Sequence, residues 1–164
     1  DIPVIFENVK RKCPNARLVM AGDGQMKQIK EAFERKKRLS DVTFTGWVRG
    51  QEKEKLLQQS AVFLFPSYNE GMPVAVLEAM GYGLGIVTTT VGGIPQLIEH
   101  GKSGFLETPG DLTAMAEDVS ELLQDKTLCR SMGELARETA EQKYSLRMHL
   151  QKLEETYRKA CLTK

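Results

Sequence analysis

Two glutamates, Glu70 and Glu78, enclose the segment of the chain whose residues are best suited to bind a ligand. The segment Pro66–Glu78 has the sequence P-S-Y-N-E-G-M-P-V-A-V-L-E. An apolar run at 61–65 precedes it and a helical spacing of apolar residues follows, which predicts a strand, a loop and a helix in that order. Pro73 suits the first helical position, because its missing N–H would have no intrahelical partner there.

The start of this helix is a predicted anion site. The first amides of a helix have no intrahelical acceptor, and the helix dipole favours negative charge beside them. The amides in question belong to Gly71, Met72, Val74 and Ala75, and Gly71 would let a ligand approach the backbone closely. We expect a ligand that carries phosphate and hydroxyl groups, with the phosphate on the amides and the hydroxyls on the two carboxylates.

Each glutamate also has a purely structural interpretation. Glu70 could cap the following helix, since acidic residues are common at helix starts. Glu78 could be a solvated helix residue or half of an ion pair, although the apolar run around it makes full solvent exposure less expected. A glycosidase with paired carboxylates is a third option, but no groove of aromatic residues is suggested by the sequence.

Length and composition set the broad class of the protein. At 164 residues the chain is long enough for one domain with a core, and a net charge of +1 argues against a dedicated nucleic-acid binder. Its three cysteines are odd in number and lack metal-ligand spacing, which favours reduced thiols in the cytoplasm and predicts no metal site. No apolar run approaches the ~20 residues of a membrane span, and no signal peptide is evident.

Strand and helix patterns alternate along the chain, which predicts an α/β fold with a doubly wound parallel sheet. The predicted strands are 17–21, 42–45, 61–65, 86–90 and 104–107. The predicted helices are 2–12, 25–38, 51–60, 73–80, 94–100, 111–124, 127–142 and 145–160. Asp111 is a predicted N-cap. We expect the apolar stripe of the last helix to pack in the core; it comprises Leu146, Leu150, Leu153 and Tyr157.

Two further segments have competing interpretations. Gly22-Asp23-Gly24 follows a strand, as in dinucleotide-binding loops, but Lys27 stands where the third glycine is expected, so a tight turn is the stronger alternative. The charge run 34–38 is typical of a solvated helix end, and attraction to a membrane surface is the minority hypothesis.

Six motifs follow one another along the chain: Ala21-Gly22-Asp23-Gly24, Phe44-Thr45-Gly46, Glu70 to Gly83, Val91-Gly92-Gly93-Ile94-Pro95, Gly101 to Phe105 and Pro109-Gly110-Asp111. The E-x7-E spacing of Glu70 and Glu78 would be weak alone, but together the motifs cover nearly the whole chain. In this order they resemble the C-terminal, nucleotide-sugar-binding domain of retaining glycosyltransferases of the GT-B fold, family 4.

The resemblance implies a role for each matching residue. Glu70 would be the catalytic-site glutamate that meets the hydroxyls of the donor sugar, and Glu78 would bind the ribose. Gly71, Met72 and Val74 would offer amides to the sugar and phosphate, while Pro73 would only shape the loop. The residues implied to lie near the base are Gly46, Trp47 and Val48, and those implied to line the cleft are Gly22, Asp23 and Gly24. A half-buried loop aromatic is the alternative for Trp47.

The implied reaction moves a sugar from a nucleotide diphosphate sugar to a hydroxyl with retention of the anomeric configuration, without cofactor or metal. The acceptor would be a glycan, a polysaccharide precursor or a lipid-linked saccharide, which implies a protein in the cytoplasm or at the membrane periphery. The family pattern also implies features that lie before residue 1: the first and central strand of the sheet, a basic pair for the diphosphate, and an N-terminal domain to which the helix at about 143–164 would cross. We therefore expect a Rossmann-like sheet without its first strand, in a fragment that is inactive alone.

The sequence also allows other functions. A non-catalytic nucleotide-sugar-binding or assembly module of the same fold is the main alternative. Another GT-B enzyme, an epimerase or a phosphorylase, is less favoured: an epimerase would not need the paired glutamates, and no cofactor lysine for a phosphorylase can be identified.

Overall fold

Strands and helices alternate in the computed structural model, which describes residues 1–162, and this confirms the predicted α/β class. The strands of this part of the chain are Leu18–Ala21 (β1), Val42–Gly46 (β2), Val62–Phe65 (β3), Gly85–Thr89 (β4) and Phe105–Glu107 (β5). The α-helices are Ile2–Lys12 (α1), Met26–Arg35 (α2), Gln51–Gln59 (α3), Val74–Gly81 (α4), Ile94–Leu97 (α5), Leu112–Gln124 (α6), Lys126–Thr139 (α7) and Leu146–Leu162 (α8).

All strand pairs are parallel, as predicted, but within residues 1–162 they form two sheets rather than one. One sheet pairs β1 with β2, and the other has the order β3-β4-β5. The division falls between β1 and β3, where the sequence resemblance places a strand that would precede residue 1. Parallel neighbours need a crossover, and a helix fills that role between each pair of strands.

Position in the sheet determines strand burial. All five residues of β4 are buried, because β4 lies between β3 and β5. By contrast, the four residues of β3 are only partly buried, although an entirely apolar strand of this kind is typical of strands covered on both faces. The reason is that β3 is an edge strand in this structure.

Helix α1 joins the two sheets through opposite sides. Ile5 and Val9 are fully buried in a cluster that includes Val87 of β4, with β3 packed against it. On its other side, Phe6 meets Phe33 of α2 edge-on at 6.0 Å in the cluster that covers β1 and β2. Helix α1 therefore contributes to a separate hydrophobic cluster on each side and links the two sheets, which no strand of residues 1–162 connects.

Helix ends follow local capping with small departures from the predicted bounds. The Asp111 carboxylate accepts a hydrogen bond of 2.9 Å from the Ala114 amide, which confirms the predicted N-cap. Asp125 caps α7 by accepting from the amides of Thr127 and Leu128, so this helix begins one residue early. It also ends early, at Thr139, where the backbone changes to a π-helix over Ala140–Tyr144.

The apolar stripe on α8 lies in solvent, so the prediction that it packs in the core was wrong. The exposed fractions are 72% for Leu146, 53% for Leu150, 41% for Leu153 and 65% for Tyr157. Among the described residues, α8 makes its main contacts with the preceding π-helix, which explains why this face remains uncovered.

Candidate functional site

The loop between β3 and α4 is held to the next strand by threonine side chains. The Thr88 hydroxyl donates to the carbonyl of Phe65 at 3.0 Å, and the Thr89 hydroxyl donates to the carbonyl of Ser67 at 2.6 Å. Both threonines are buried at the end of β4. The chain leaving β3 is therefore positioned by a rigid, buried element rather than by solvent-exposed contacts.

The backbone of Gly92 and Gly93 packs directly against the same loop. The Gly93 amide donates to the carbonyl of Gly71 at 2.6 Å. A Cβ atom on Gly92 would lie 1.7 Å from the carbonyl oxygen of Glu70, and one on Gly93 would lie 2.5 Å from that of Gly71. Positions 92 and 93 therefore have to be glycine for the loop to come this close. The sequence placed the pair in one of the motifs of the resemblance and gave no sign of this contact.

The amino end of α4 is open at the predicted anion site. Pro73 is the N-cap, with extended backbone angles of φ −73° and ψ 113°, so the prediction that it occupies the first helical position was wrong by one residue. No side chain caps the helix. Val74 and Ala75 are its first two residues, and their amides have no intrahelical acceptor by position. Space around the Cα atom of Gly71 is open, and Val74 is 65% exposed.

Glu70 does not cap α4, in contrast to the structural interpretation of its sequence position. Its carboxylate accepts a hydrogen bond from the Ser67 hydroxyl at 2.8 Å, three residues earlier in the same loop. Glu70 is partly buried, so the carboxylate is oriented yet still reachable. Ser67 was not predicted as a site residue, because the S-x-x-E spacing is typical of a capping box, in which each side chain bonds a backbone amide rather than the other side chain.

Glu78 lies one helical turn beyond the open amides. It follows Val74 by four residues, so the two share a face of α4 and are about 6 Å apart along the axis. Its carboxylate is paired with Lys53 of α3, with Nζ 2.5 Å from Oε1, and the two side chains are 34% and 39% exposed. The ion pair that the sequence left as an alternative is thus present, and its partner comes from 25 residues earlier in the chain.

The other predicted ligand-binding residues lie at the carboxyl ends of β1 and β2. The Gly22 amide donates to the carbonyl of Gly46 at 2.7 Å, so the loop of Gly22, Asp23 and Gly24 lies directly beside the one of Gly46, Trp47 and Val48. Trp47 is 70% exposed, which is more open than the half-buried alternative. Both loops belong to the β1–β2 sheet, whereas Glu70 and Glu78 follow β3.

Tyr68 is an exposed residue at the site that sequence reasoning missed. It lies in the loop between Ser67 and Glu70 and is 60% exposed. Its hydroxyl approaches Gly110, where an added Cβ atom would lie 3.5 Å away. The Pro109-Gly110-Asp111 motif is thereby brought to the edge of the Glu70 loop, a proximity that the sequence separation of about 40 residues concealed.

The described residues outside this site form surface grooves, but neither a metal-binding group nor a membrane-spanning helix. Residues 1–162 contain no group of three or more His, Cys, Asp or Glu side chains arranged to hold a metal ion. None of the helices in the described part is both long and apolar enough to cross a bilayer. A surface groove of about 790 Å³ lies between Lys12 and α6, and a second of about 440 Å³ lies between α5 and α7. Neither is lined by a predicted site residue.

The sequence of residues 2–125 matches the protein family described as Glycosyl transferases group 1. The chain belongs to this family.

Similar proteins show how the chain relates to whole members of the family. Sulfoquinovosyl transferase SQD2 of Arabidopsis thaliana is 36% identical over 146 residues, which is 87% of this chain and 28% of the plant protein. Trehalose phosphorylase of Pleurotus pulmonarius is 42% identical over 82 residues, which is 50% of this chain and 11% of that protein. The chain thus spans less than a third of the length of these relatives.

The solved structure of Anabaena HepE in complex with UDP has the same fold. It superposes with a TM-score of 0.86 at 22% sequence identity, over 95% of this chain and 44% of HepE. This likeness confirms the prediction that the chain resembles the C-terminal half of a GT-B glycosyltransferase.

Proposed function

We propose that this chain is the donor-binding domain of a retaining glycosyltransferase, which transfers a sugar from a nucleotide diphosphate sugar to a hydroxyl acceptor. The observation that carries the proposal is the uncapped amino end of α4, with Glu70 in the loop before it and Glu78 one turn after it. Family membership and the fold shared with HepE, which was crystallised with UDP, support the same conclusion.

In this proposal each group recognises a different part of the donor. The amides of Gly71, Met72 and Val74 bind the diphosphate and sugar, because unpaired N–H groups and the helix dipole stabilise anions. Glu78 accepts hydrogen bonds from the ribose, about 6 Å further along the same helix face. The Ser67-bound carboxylate of Glu70 meets the donor sugar hydroxyls.

The same amides account for the chemical step. When the bond between sugar and diphosphate breaks, negative charge develops on the leaving phosphate, and fixed dipoles beside it lower the barrier electrostatically. No metal or cofactor enters this scheme. Because the chain spans between 11% and 34% of the length of relatives such as these, we propose that acceptor binding and turnover need a second domain, so that the chain alone binds the donor without transferring it.

Nuclear magnetic resonance titration with UDP, GDP and ADP tests the binding site. One of the three is expected to shift the amide signals of Gly71, Met72, Val74 and Ala75, while the amides of the exposed helix α8 serve as an internal control. If none of the three nucleotides moves the α4 signals, the site is misassigned.

Two alanine variants separate the roles of the glutamates. Glu78→Ala is expected to weaken binding of the nucleoside diphosphate more than Glu70→Ala does, because only Glu78 is assigned to the ribose. Glu70→Ala should instead reduce the extra affinity for a nucleotide sugar over its nucleotide. Isothermal titration calorimetry measures both, and the reverse order would contradict the assignment.

Phosphorolysis is a second candidate function, favoured by the 42% identity to trehalose phosphorylase over half of the chain. The open end of α4 could hold inorganic phosphate by the same amides, but phosphate offers no ribose to Glu78. Binding of phosphate that is unaffected by Glu78→Ala, together with no binding of UDP, GDP or ADP, would favour this function over sugar transfer from a nucleotide.

A further inference from the structure

We infer that Lys53 is a positioning residue that holds Glu78 for recognition of the ribose hydroxyls, an inference that rests on the proposed function. Lys53 belongs to α3 and Glu78 to α4, so the pair links the two helices that precede and follow β3 in the sequence. Sequence motifs at the site include Glu78 but not Lys53, whose importance is visible only in the folded chain.

The environment of Lys53 differs from that of its neighbours on α3. Glu52, Glu54 and Lys55 are exposed, whereas Lys53 is partly buried with its ammonium group against Glu78. Ordering a lysine side chain costs rotamer entropy, so an arbitrary surface lysine is not expected to hold one geometry. Partial burial at the helix contact strengthens the pair relative to a fully exposed one.

The contact leaves half of the carboxylate available. Lys53 donates to Oε1 of Glu78. The second oxygen, Oε2, remains as an acceptor for a hydroxyl on the face of α4 shared with Val74. Because one oxygen is anchored, the other keeps a fixed direction relative to the amides of the helix start. Pre-organisation of this kind increases affinity, since the side chain loses less freedom on binding.

Lys53 also compensates a charge that would otherwise oppose the ligand. Glu78 lies about 6 Å along the helix from the amides assigned to the diphosphate, and an unpaired carboxylate at that distance repels it. The ammonium of Lys53 neutralises Glu78 without capping α4. A carboxylate can thus face the ribose beside an anion-binding helix end.

A binding experiment separates positioning from simple loss of positive charge. The probe is whichever of UDP, GDP and ADP binds the chain most tightly, with its 2′-deoxy and 3′-deoxy forms. Loss of a hydroxyl that bonds a charged group is expected to raise Kd about 10-fold in the wild-type chain. We call the Kd of a deoxy form divided by the Kd of the parent nucleotide the hydroxyl ratio. In Lys53→Met the hydroxyl ratio should fall to about 2-fold, although loss of the charge weakens binding of the parent nucleotide and of both deoxy forms alike. Lys53→Arg should restore the ratio.

The matched control is Lys55→Met, which removes the same charge from an exposed position on the same helix and should leave the hydroxyl ratio unchanged. In a Glu78→Gln background, Lys53→Met should have no further effect on the ratio. Circular dichroism confirms that each variant is folded. A wild-type chain that binds none of the nucleotides refutes the proposed function itself. If the hydroxyl ratio of Lys53→Met equals that of the wild type, the proposed function stands and the role of Lys53 is refuted.

Discussion

Asp118 is predicted to lower the stability of the protein at neutral pH, because its carboxyl group faces Glu107 across the contact between α6 and β5. Burial, followed by the charge of Glu107 and a hydrogen bond with it, raises the pKa of Asp118 from 3.8 to about 7; Glu121 and Glu117 add smaller repulsions. With both acids ionised, the buried Oδ2 atom of Asp118 has no partner within the described residues. A proton on Asp118 supplies the missing donor to Glu107.

The direction of the pH dependence follows from the raised pKa. The folded protein binds this proton more tightly than the unfolded chain, in which the pKa of Asp118 is near 3.8. The free energy of unfolding contributed by this group is therefore greatest below pH 4 and falls as the pH rises towards 7, after which it is constant. This is the reverse of the usual case, in which a protein with a paired carboxylate becomes less stable as the pH falls.

The magnitude is limited by partial exposure. A difference between 3.8 and about 7 corresponds to about 4 kcal/mol at 1.36 kcal/mol for each pH unit. Asp118 is only half-buried, and solvent screens its repulsion, so we take about half of that value, about 2 kcal/mol. For a protein of this size, 2 kcal/mol moves the melting temperature by about 4–8 °C.

The substitution Asp118→Asn removes the charge while keeping a donor for Glu107. At pH 8 we expect the free energy of unfolding of the variant to be about 2 kcal/mol higher than that of the wild type, and at pH 4 we expect no difference. Urea unfolding followed by circular dichroism between pH 4 and pH 8 measures the difference. Glu138→Gln, an exposed carboxylate on α7, is the control and should behave like the wild type throughout. An advantage for Asp118→Asn that is equal at pH 4 and pH 8 would refute the explanation.

Three glycine substitutions test close packing: one against the Glu70 loop, one with open space as its control, and one at the start of β4, away from the site. Gly92→Ala should unfold the Glu70 loop locally and abolish nucleotide binding, because its Cβ atom would meet the Glu70 carbonyl at 1.7 Å. Gly101→Ala is the control, since it is also at positive φ but has open space around it. This variant should lower the free energy of unfolding by only about 1–2 kcal/mol in thermal melts and leave binding intact. Gly85→Ala should cost about 1–3 kcal/mol, since its Cβ atom would lie 2.8 Å from Sγ of Cys129, and the added substitution Cys129→Ala should recover part of the loss in urea unfolding; no recovery would place the strain elsewhere.

Local patterns in the amino-acid sequence were sufficient to predict the order of the elements. Apolar runs and helical spacings predicted each strand and α-helix of the described residues within a few residues, though not the π-helix, and Asp111 was recognised as a cap from its own type and position. These features depend on contacts between residues that are close in the chain, which is why one sequence can reveal them. The same holds for the loop and helix that join Glu70 to Glu78.

Contacts between distant segments required the folded structure. The pair of Lys53 with Glu78 and the approach of Asp118 to Glu107 depend on how the crossovers pack helices against strands, and no local pattern encodes that packing. Burial likewise depends on neighbours: β3 has the composition of an interior strand but lies at a sheet edge, and the apolar stripe of α8 has no covering surface among the described residues. Side-chain pattern sets which surfaces can be buried, whereas tertiary packing sets which of them are.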